Sequence, residues 1–408
     1  MSTRTAPDTA APAPETPTGA LRRELAAGTL LTTLGALALA LLVGAVLIVV
    51  ADEYTRSTFG YFFAAPLDAV RATTGIVADA YGALFTGSVF DPGGATFTDK
   101  VAPLSETLVS ATPLIGGGLA VAAAFRAGLF NIGAEGQMIV GAAAAGYVGF
   151  AVQLPVLLHL VVAVAVGVAA GALWAGIAGW LKARTGAHEV ITTIMLNYIA
   201  LSLLAYLLST DPFQRRGSNL PRSPEVAETS ALPRLPGDLR VHLGILLVLG
   251  AAALFWWVFA RSTIGFKFRA VGANPHAART AGIDVDRVTV AVMLLAGAFT
   301  GLAGASLVLG AERYLTPGIS AGIGFDAITV ALLGRATPVG TVLAGLLFGA
   351  FDAGSVSMES ATGVPRDVVS VIQALIVLFI AAPALVRAVL RFRTRARGID
   401  LATSGWSG

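Results

Sequence analysis

Apolar residues in this chain come in long unbroken blocks. Residues 26–51 contain no formal charge, and neither do residues 136–181. The hydrocarbon core of a bilayer asks for about 20 consecutive apolar residues per helix. The first block fits one spanning helix; the second fits two, with a turn at Gln153-Leu154-Pro155. The same reading along the chain predicts spans over 27–51, 104–125, 131–152, 155–181, 188–209, 241–260, 288–311 and 367–390. Residues 322–357 are also apolar but interrupted, because Gly334-Arg335 and Pro338 split them into a short first piece and a longer second one. Breaks of this kind persist in a membrane only where protein or a water-filled cavity satisfies the backbone. The pattern predicts an all-α polytopic membrane protein of about ten transmembrane helices, with a broken helix in the C-terminal third.

The polar intervals assign sides. Residues 1–20, rich in Ala, Pro and Thr, read as a disordered cytoplasmic tail. Arg22-Arg23 resembles the charged start of a signal peptide, but the apolar run that follows is too long for one and reads as an uncleaved first helix. The transmembrane domain then covers 21–395, and 396–408 is a second cytoplasmic tail. Residues 52–103, with Pro66, the Asp91-Pro92-Gly93-Gly94 turn and an amphipathic stretch near 67–86, are expected outside with an interfacial helix. Residues 210–240 carry five prolines and five arginines against four acids, and parity also places them outside. Those arginines run mildly against the positive-inside rule, but the Lys182/Arg184 and Arg261/Lys267/Arg269 clusters outweigh them. Residues 261–287 become a cytoplasmic loop, and the basic stretch 387–397 puts the C-terminus in the cytoplasm.

Composition agrees. Of 408 residues 56% are hydrophobic and 12% charged, about half the charge of a soluble domain. The net charge of +3 sits mostly in short loops, so it marks membrane orientation and no nucleic-acid partner. The absence of cysteine excludes disulfides and thiolate chemistry. Small residues recur four apart at Gly167, Gly171, Ala175 and Gly179, and again at Gly297 and Gly301. Such spacing lets helices approach closely in lipid.

Ionisable and amide groups inside apolar segments are the candidate chemistry. Asn131 and Glu135 share a helix face, with Gln137 projecting elsewhere, and Glu189, Thr193 and Asn197 form a second stripe. Asp326 and Asp352 flank the broken segment. Helix capping is the bland alternative, above all for Asn131 and Glu189. Enzyme templates fail. His188-Glu189 lacks the second histidine a zinc helix needs, four scattered histidines make no metal cluster, and no P-loop sequence exists. "GIGFD" at 322–326 departs from the intramembrane aspartyl protease pattern because Phe325 intervenes. In the 261–287 loop, Asn274 should cap and Pro275 open a short helix over 276–281 that Gly282 ends, making a docking knob for a cytoplasmic partner.

Four ordered motifs carry a resemblance: "GLFNIGAEGQ" (128–137), "HEVITTIMLNYIA" (188–200), "ANPHAARTAGI" (273–283) and "GFDAITVALLGRATPVG" (324–340). Over roughly 104–385 the chain resembles ABC-transporter permeases that serve branched-chain amino acids, ribose-type sugars and nucleosides. "FNIGAEGQ" looks like the nucleoside, guanosine-type branch, and His188 stands where an Asn is expected. The resemblance implies a non-enzymatic importer subunit in a bacterial plasma membrane, with both termini cytoplasmic. ATP and Mg would be bound by partner ATPase chains, with no cofactor here. The partners would be that ATPase, a second, non-identical permease and an extracytoplasmic substrate-binding lipoprotein. ATPase coupling would fall on Asn274, Pro275, Ala277, Ala278, Gly282 and Ile283. An uncharged nucleoside rich in donors and acceptors suits the amides, hydroxyl and ring of Asn131, Gln137, Asn197, Thr193 and Phe325. The candidate pathway also takes in Glu135, Glu189 and Asp326, although an uncharged substrate gives a buried carboxylate little to touch, which favours Glu135 as a pin for its helix. The competing readings are a simple-sugar or branched-chain amino-acid permease, and a proton-coupled secondary transporter using Glu135 and Glu189. The latter leaves the docking loop unexplained.

Overall fold

The computed structural model describes residues 29–235 and 239–382, together with Val386 and Val389. The tails expected at 1–20 and 396–408, and all of the basic stretch 387–397 but Val389, lie outside these residues. Within them the chain is all-helical, and strand pairing is limited to one isolated bridge between Arg234 and His242.

The first block becomes α1 (Thr29–Ala51), followed by the short α2 (Glu53–Phe59) and by α3 (Pro66–Thr86). α3 covers the expected amphipathic stretch and packs along α13 (Pro338–Thr362) and α1. There the Tyr81 hydroxyl donates to the Leu41 carbonyl. α4 (Phe97–Arg126) begins seven residues before its expected start at 104. A capping box explains the difference. Asp99 N–H donates to Thr96 Oγ1 and Thr96 N–H to Asp99 Oδ2, so two otherwise free donors are satisfied at once. α5 (Ala134–Ala151), α6 (Val156–Thr185) and α7 (Glu189–Leu207) follow, and Gly186 ends α6 in the left-handed conformation. After the 210–240 segment come α8 (Gly244–Arg261), α9 (Thr263–Ala273), α10 (Pro275–Thr280) and α11 (Val285–Ser306). α11 runs on as a π-helical turn, Leu307–Glu312. The interrupted segment forms α12 (Ile323–Leu333) and α13, and α14 (Asp367–Ala381) closes the described chain.

Among the described residues seven helices are long and apolar enough to cross a bilayer, and two shorter apolar ones, α12 and α14, accompany them. These helices do not confirm the count of about ten. The interrupted segment contributes one long helix, and α5 is diluted by Glu135 and Gln137 in its first turn.

The small-residue spacing does what packing in lipid requires. A Cβ on Gly171 would stand 2.5 Å from the Gly297 carbonyl oxygen, and one on Gly301 2.5 Å from that of Gly167. Thus α6 and α11 touch backbone to backbone. α11 lies at the centre against α4, α5 and α6, and both α4 and α11 are buried along most of their length.

At the break, Arg335 and Ala336 adopt positive φ of 50° and 49°. Arg126, at the end of α4, donates Nε–H to the Ala336 carbonyl at 2.7 Å. Thr337 Oγ1 accepts from Gly340 N–H and caps α13. The freed backbone is thus satisfied by protein.

Candidate functional site

A cavity of about 710 Å³ opens among α4, the π-helical turn, α12, α13 and α14. Its charged wall consists of Glu106, Arg240, Glu312, Asp326 and Asp352. Neutral polar groups complete it: Ser110, Thr316, Ser357, Ser370 and Gln373. Its size falls within the range of small-molecule sites, roughly 300–1,000 Å³. Arg240 Nη1 and Glu106 Oε2 form an ion pair at 2.9 Å on this wall, tying α4 to the segment before α8.

Local sequence explains how the wall is presented. The π turn departs from α-helical geometry where Leu307, Ala311 and Glu312 reach the cavity, a common feature of functional helices. Ser370 and Gln373 stand three apart on α14, which is otherwise apolar after Asp367, so they share a face. Asp326 occupies the first turn of α12, where the helix dipole favours a carboxylate.

Of the eight residues expected to form the pathway, Asp326 lines this cavity. Phe325 is about half exposed and is not on its wall. The other six are buried and bonded into the start of α5 and its neighbours. Glu135 is 3% exposed and accepts from Ser320 Oγ at 2.6 Å, Gly322 N–H at 3.1 Å and Gly324 N–H at 2.7 Å. It therefore caps α12 from another helix, and the positive end of α12 compensates its charge. Gly322, at φ 84°, lets the chain turn into that clasp.

Asn131 and Gln137 exchange amide hydrogen bonds at 3.2 and 2.9 Å. Thr300 of α11 donates to Gln137 Oε1. Asn197 Oδ1 accepts from Gly136 N–H and its Nδ2 donates to the Ile132 carbonyl, both at 2.9 Å. Glu189 accepts from Lys182 Nζ at 2.6 Å and from Phe130 N–H at 3.5 Å. Thr193 bonds back to the Glu189 carbonyl. These side chains satisfy the non-helical backbone at 130–133 and the first turn of α5. Orphan groups at a buried helix end need such partners.

Sequence reasoning missed most of the cavity wall. Gln373 and Ser370 were visible as two polar residues on one face of an apolar helix. Asp352 stands beside the break in the sequence. No sequence signal brings Glu106, Arg240 and Glu312 together, since their meeting depends on long-range packing.

The short helix expected after Asn274 forms as α10. Asn274 Oδ1 accepts from His276 N–H and Ala277 N–H, and Gly282 follows at φ 80°. Two of the six coupling positions differ from a simple docking surface. Ala278 is buried at 4% exposure, and Ile283, partly buried, packs on the core and donates its N–H to the Ala278 carbonyl. Asn274, Pro275, Ala277 and Gly282 are exposed.

Residues 104–381 match the family model described as branched-chain amino acid transport system / permease component. The chain is 44% identical to the guanosine ABC transporter permease protein NupP of Bacillus subtilis (strain 168). That alignment covers 77% of this chain and 88% of the relative. It is 39% identical to the glucose ABC transporter permease protein TsgB13 of Haloferax volcanii, over 74% and 80%. It is 33% identical to the nucleoside ABC transporter permease protein NupB of Lactococcus lactis subsp. cremoris, over 70% and 81%. No solved structure matches it.

Proposed function

Because this chain belongs to the branched-chain amino acid transport system permease-component family, we propose that it is the membrane subunit of an ATP-driven nucleoside importer. The observation that carries this reading is the 44% identity to a guanosine permease across most of both chains. The cavity supports it, because both signs of charge are present with amide and hydroxyl groups, a wall fit for a neutral, donor- and acceptor-rich solute.

The chain is a transport subunit. ATP and Mg belong to ATPase chains that dock on the exposed face of α10, around Pro275 and Ala277. A substrate-binding lipoprotein delivers cargo from outside, and a second, unlike permease completes the channel. The multi-pass chain lies in a bacterial plasma membrane with both termini in the cytoplasm. Transmission follows the covalent path. α10 leads directly into α11, whose 22 residues span ~33 Å and end in the π turn on the cavity wall. A push on α10 can thus reach the wall through one rigid element, biasing the population of cavity conformations.

The second reading, sugar import, is favoured by the 39% identity to a glucose permease. Uptake of labelled guanosine and of labelled glucose, in cells with and without the gene, separates them. Guanosine uptake that needs the gene and ATP is expected. Gene-dependent glucose uptake without guanosine uptake would replace the nucleoside reading with the sugar one. Uptake that survives ATP depletion but collapses with the proton gradient would overturn ATP-driven import.

A further inference from the structure

Three carboxylates on the cavity wall, Glu312 on the π turn, Asp326 and Asp352, have no hydrogen-bonding or ion-pair partner among the described residues. Asp326 on α12 and Asp352 on α13 both line the cavity. The neighbouring hydroxyls of Thr329 and Ser355 bond to the backbone carbonyls of these residues, leaving the carboxylate groups untouched. Among the described residues no cation pairs with either one, whereas Glu106 on the same wall is matched by Arg240. Each carboxylate offers acceptor capacity only. Charged groups in a membrane domain are costly and are kept where they meet a partner or a pathway.

The rest of the wall sharpens what that partner must be. Phe348 is the one aromatic residue on it among the described residues, and it is buried at 2% exposure. A flat heterocycle gains its binding from an exposed ring to stack on, and this wall presents none. Ser370 and Gln373 of α14 add further hydrogen-bonding groups to the same cavity. The wall takes hydroxyl donors readily and offers a planar base hydrogen-bonding groups rather than a ring to stack on.

We infer that Asp326 and Asp352 recognise the sugar moiety of the cargo, accepting hydrogen bonds from its vicinal hydroxyls, and that they set the selectivity of this chain for polyhydroxylated solutes. This deepens the nucleoside reading above and rests on it. Hydrogen bonds to a charged acceptor are the strong kind. Losing one ribose hydroxyl from such a bond should therefore cost about tenfold at the permease step.

The test compares guanosine with 2′,3′-dideoxyguanosine, which lacks both hydroxyls, in cells carrying the whole transporter. Wild type is set beside Asp326→Asn and Asp352→Asn. The delivery protein is identical in all strains, so a change in the ratio of the two uptake rates reports this chain alone. Each variant is expected to lower the guanosine to dideoxyguanosine ratio about tenfold, chiefly by slowing guanosine. Equal loss for both solutes in assembled transporter, or no change in either, overturns the inference. The two residues sit on separate helices, so failure of one variant to assemble leaves the other to decide. If wild type carries neither nucleoside but carries glucose, the cargo reading fails. The same variants, given glucose and 2-deoxyglucose, then decide the role of the carboxylates by the same ratio.

Discussion

Replacing Glu135 with Gln separates a clasp from a substrate contact. The native carboxylate holds three donors of the segment that opens α12: Ser320 Oγ, Gly322 N–H and Gly324 N–H. In the variant, the amide oxygen can keep Ser320 and Gly322 as weaker neutral bonds. The amide NH2 then faces Gly324 N–H, donor against donor. An unmet buried donor costs about 1–3 kcal/mol, and each surviving bond loses roughly 1 kcal/mol as the charge goes. The neutral side chain regains part of the cost of burying a carboxylate. The net loss is roughly 3 kcal/mol, concentrated where α5 meets α12. Thermal unfolding of the purified protein in detergent should show a midpoint lowered by several degrees. Transport should fall through fewer working molecules, with the concentration dependence of uptake nearly unchanged. An unchanged midpoint together with a large shift in half-saturating guanosine would refute the clasp and make Glu135 a cargo contact.

Other expectations follow from neighbouring geometry. Ala277→Asp, on the exposed face of α10, should abolish co-purification of the ATPase without lowering the unfolding midpoint. Ala278→Asp should lower both, because its side chain is buried in this chain's own core. Gly171→Val should destabilise the α6–α11 crossing by at least about 1–3 kcal/mol. The first added carbon already meets the Gly297 carbonyl at 2.5 Å, so the yield of folded protein should drop sharply; normal yield would disprove the close contact. His242 precedes α8, outside the spanning helices. Burial, reinforced by Arg240 and Arg234, pushes its imidazole down to about 4 from 6.5. The unfolded chain therefore takes up a proton that the folded one refuses. The stability present above pH 6.5 is lost as pH falls toward 4, on the order of 3 kcal/mol in all. Melting at pH 7.5 and pH 5 should show this loss, and His242→Asn should reduce it.

The polar residues at the start of α5 show how far sequence reading reaches. Asn131, Glu135, Gln137 and Asn197 stand out in the sequence because polar groups in apolar blocks are rare, and their burial was foreseeable. Their use was not. Glu135 meets α12 across 185 or more residues, and Asn197 reaches Gly136 across 61. A pathway and a set of helix pins look alike in sequence, since both put hydrogen-bonding groups on an inward face. Ser370 and Gln373 carried the opposite signal, two polar positions on a helix that otherwise needs none.

By itself the sequence determined the membrane class, most helix positions, the break near Gly334, the cap at Asn274 and the close-packing stripes. These depend on local rules: apolar length against bilayer thickness, capping chemistry, and small residues four apart. Tertiary structure alone decided that α4, the π turn, α12, α13 and α14 enclose one cavity, that Asp326 and Asp352 both line it, and that Ala278 turns inward. Which polar group faces a cavity and which one fastens a helix depends on what the packed neighbours leave unsatisfied, and those neighbours lie up to hundreds of residues away.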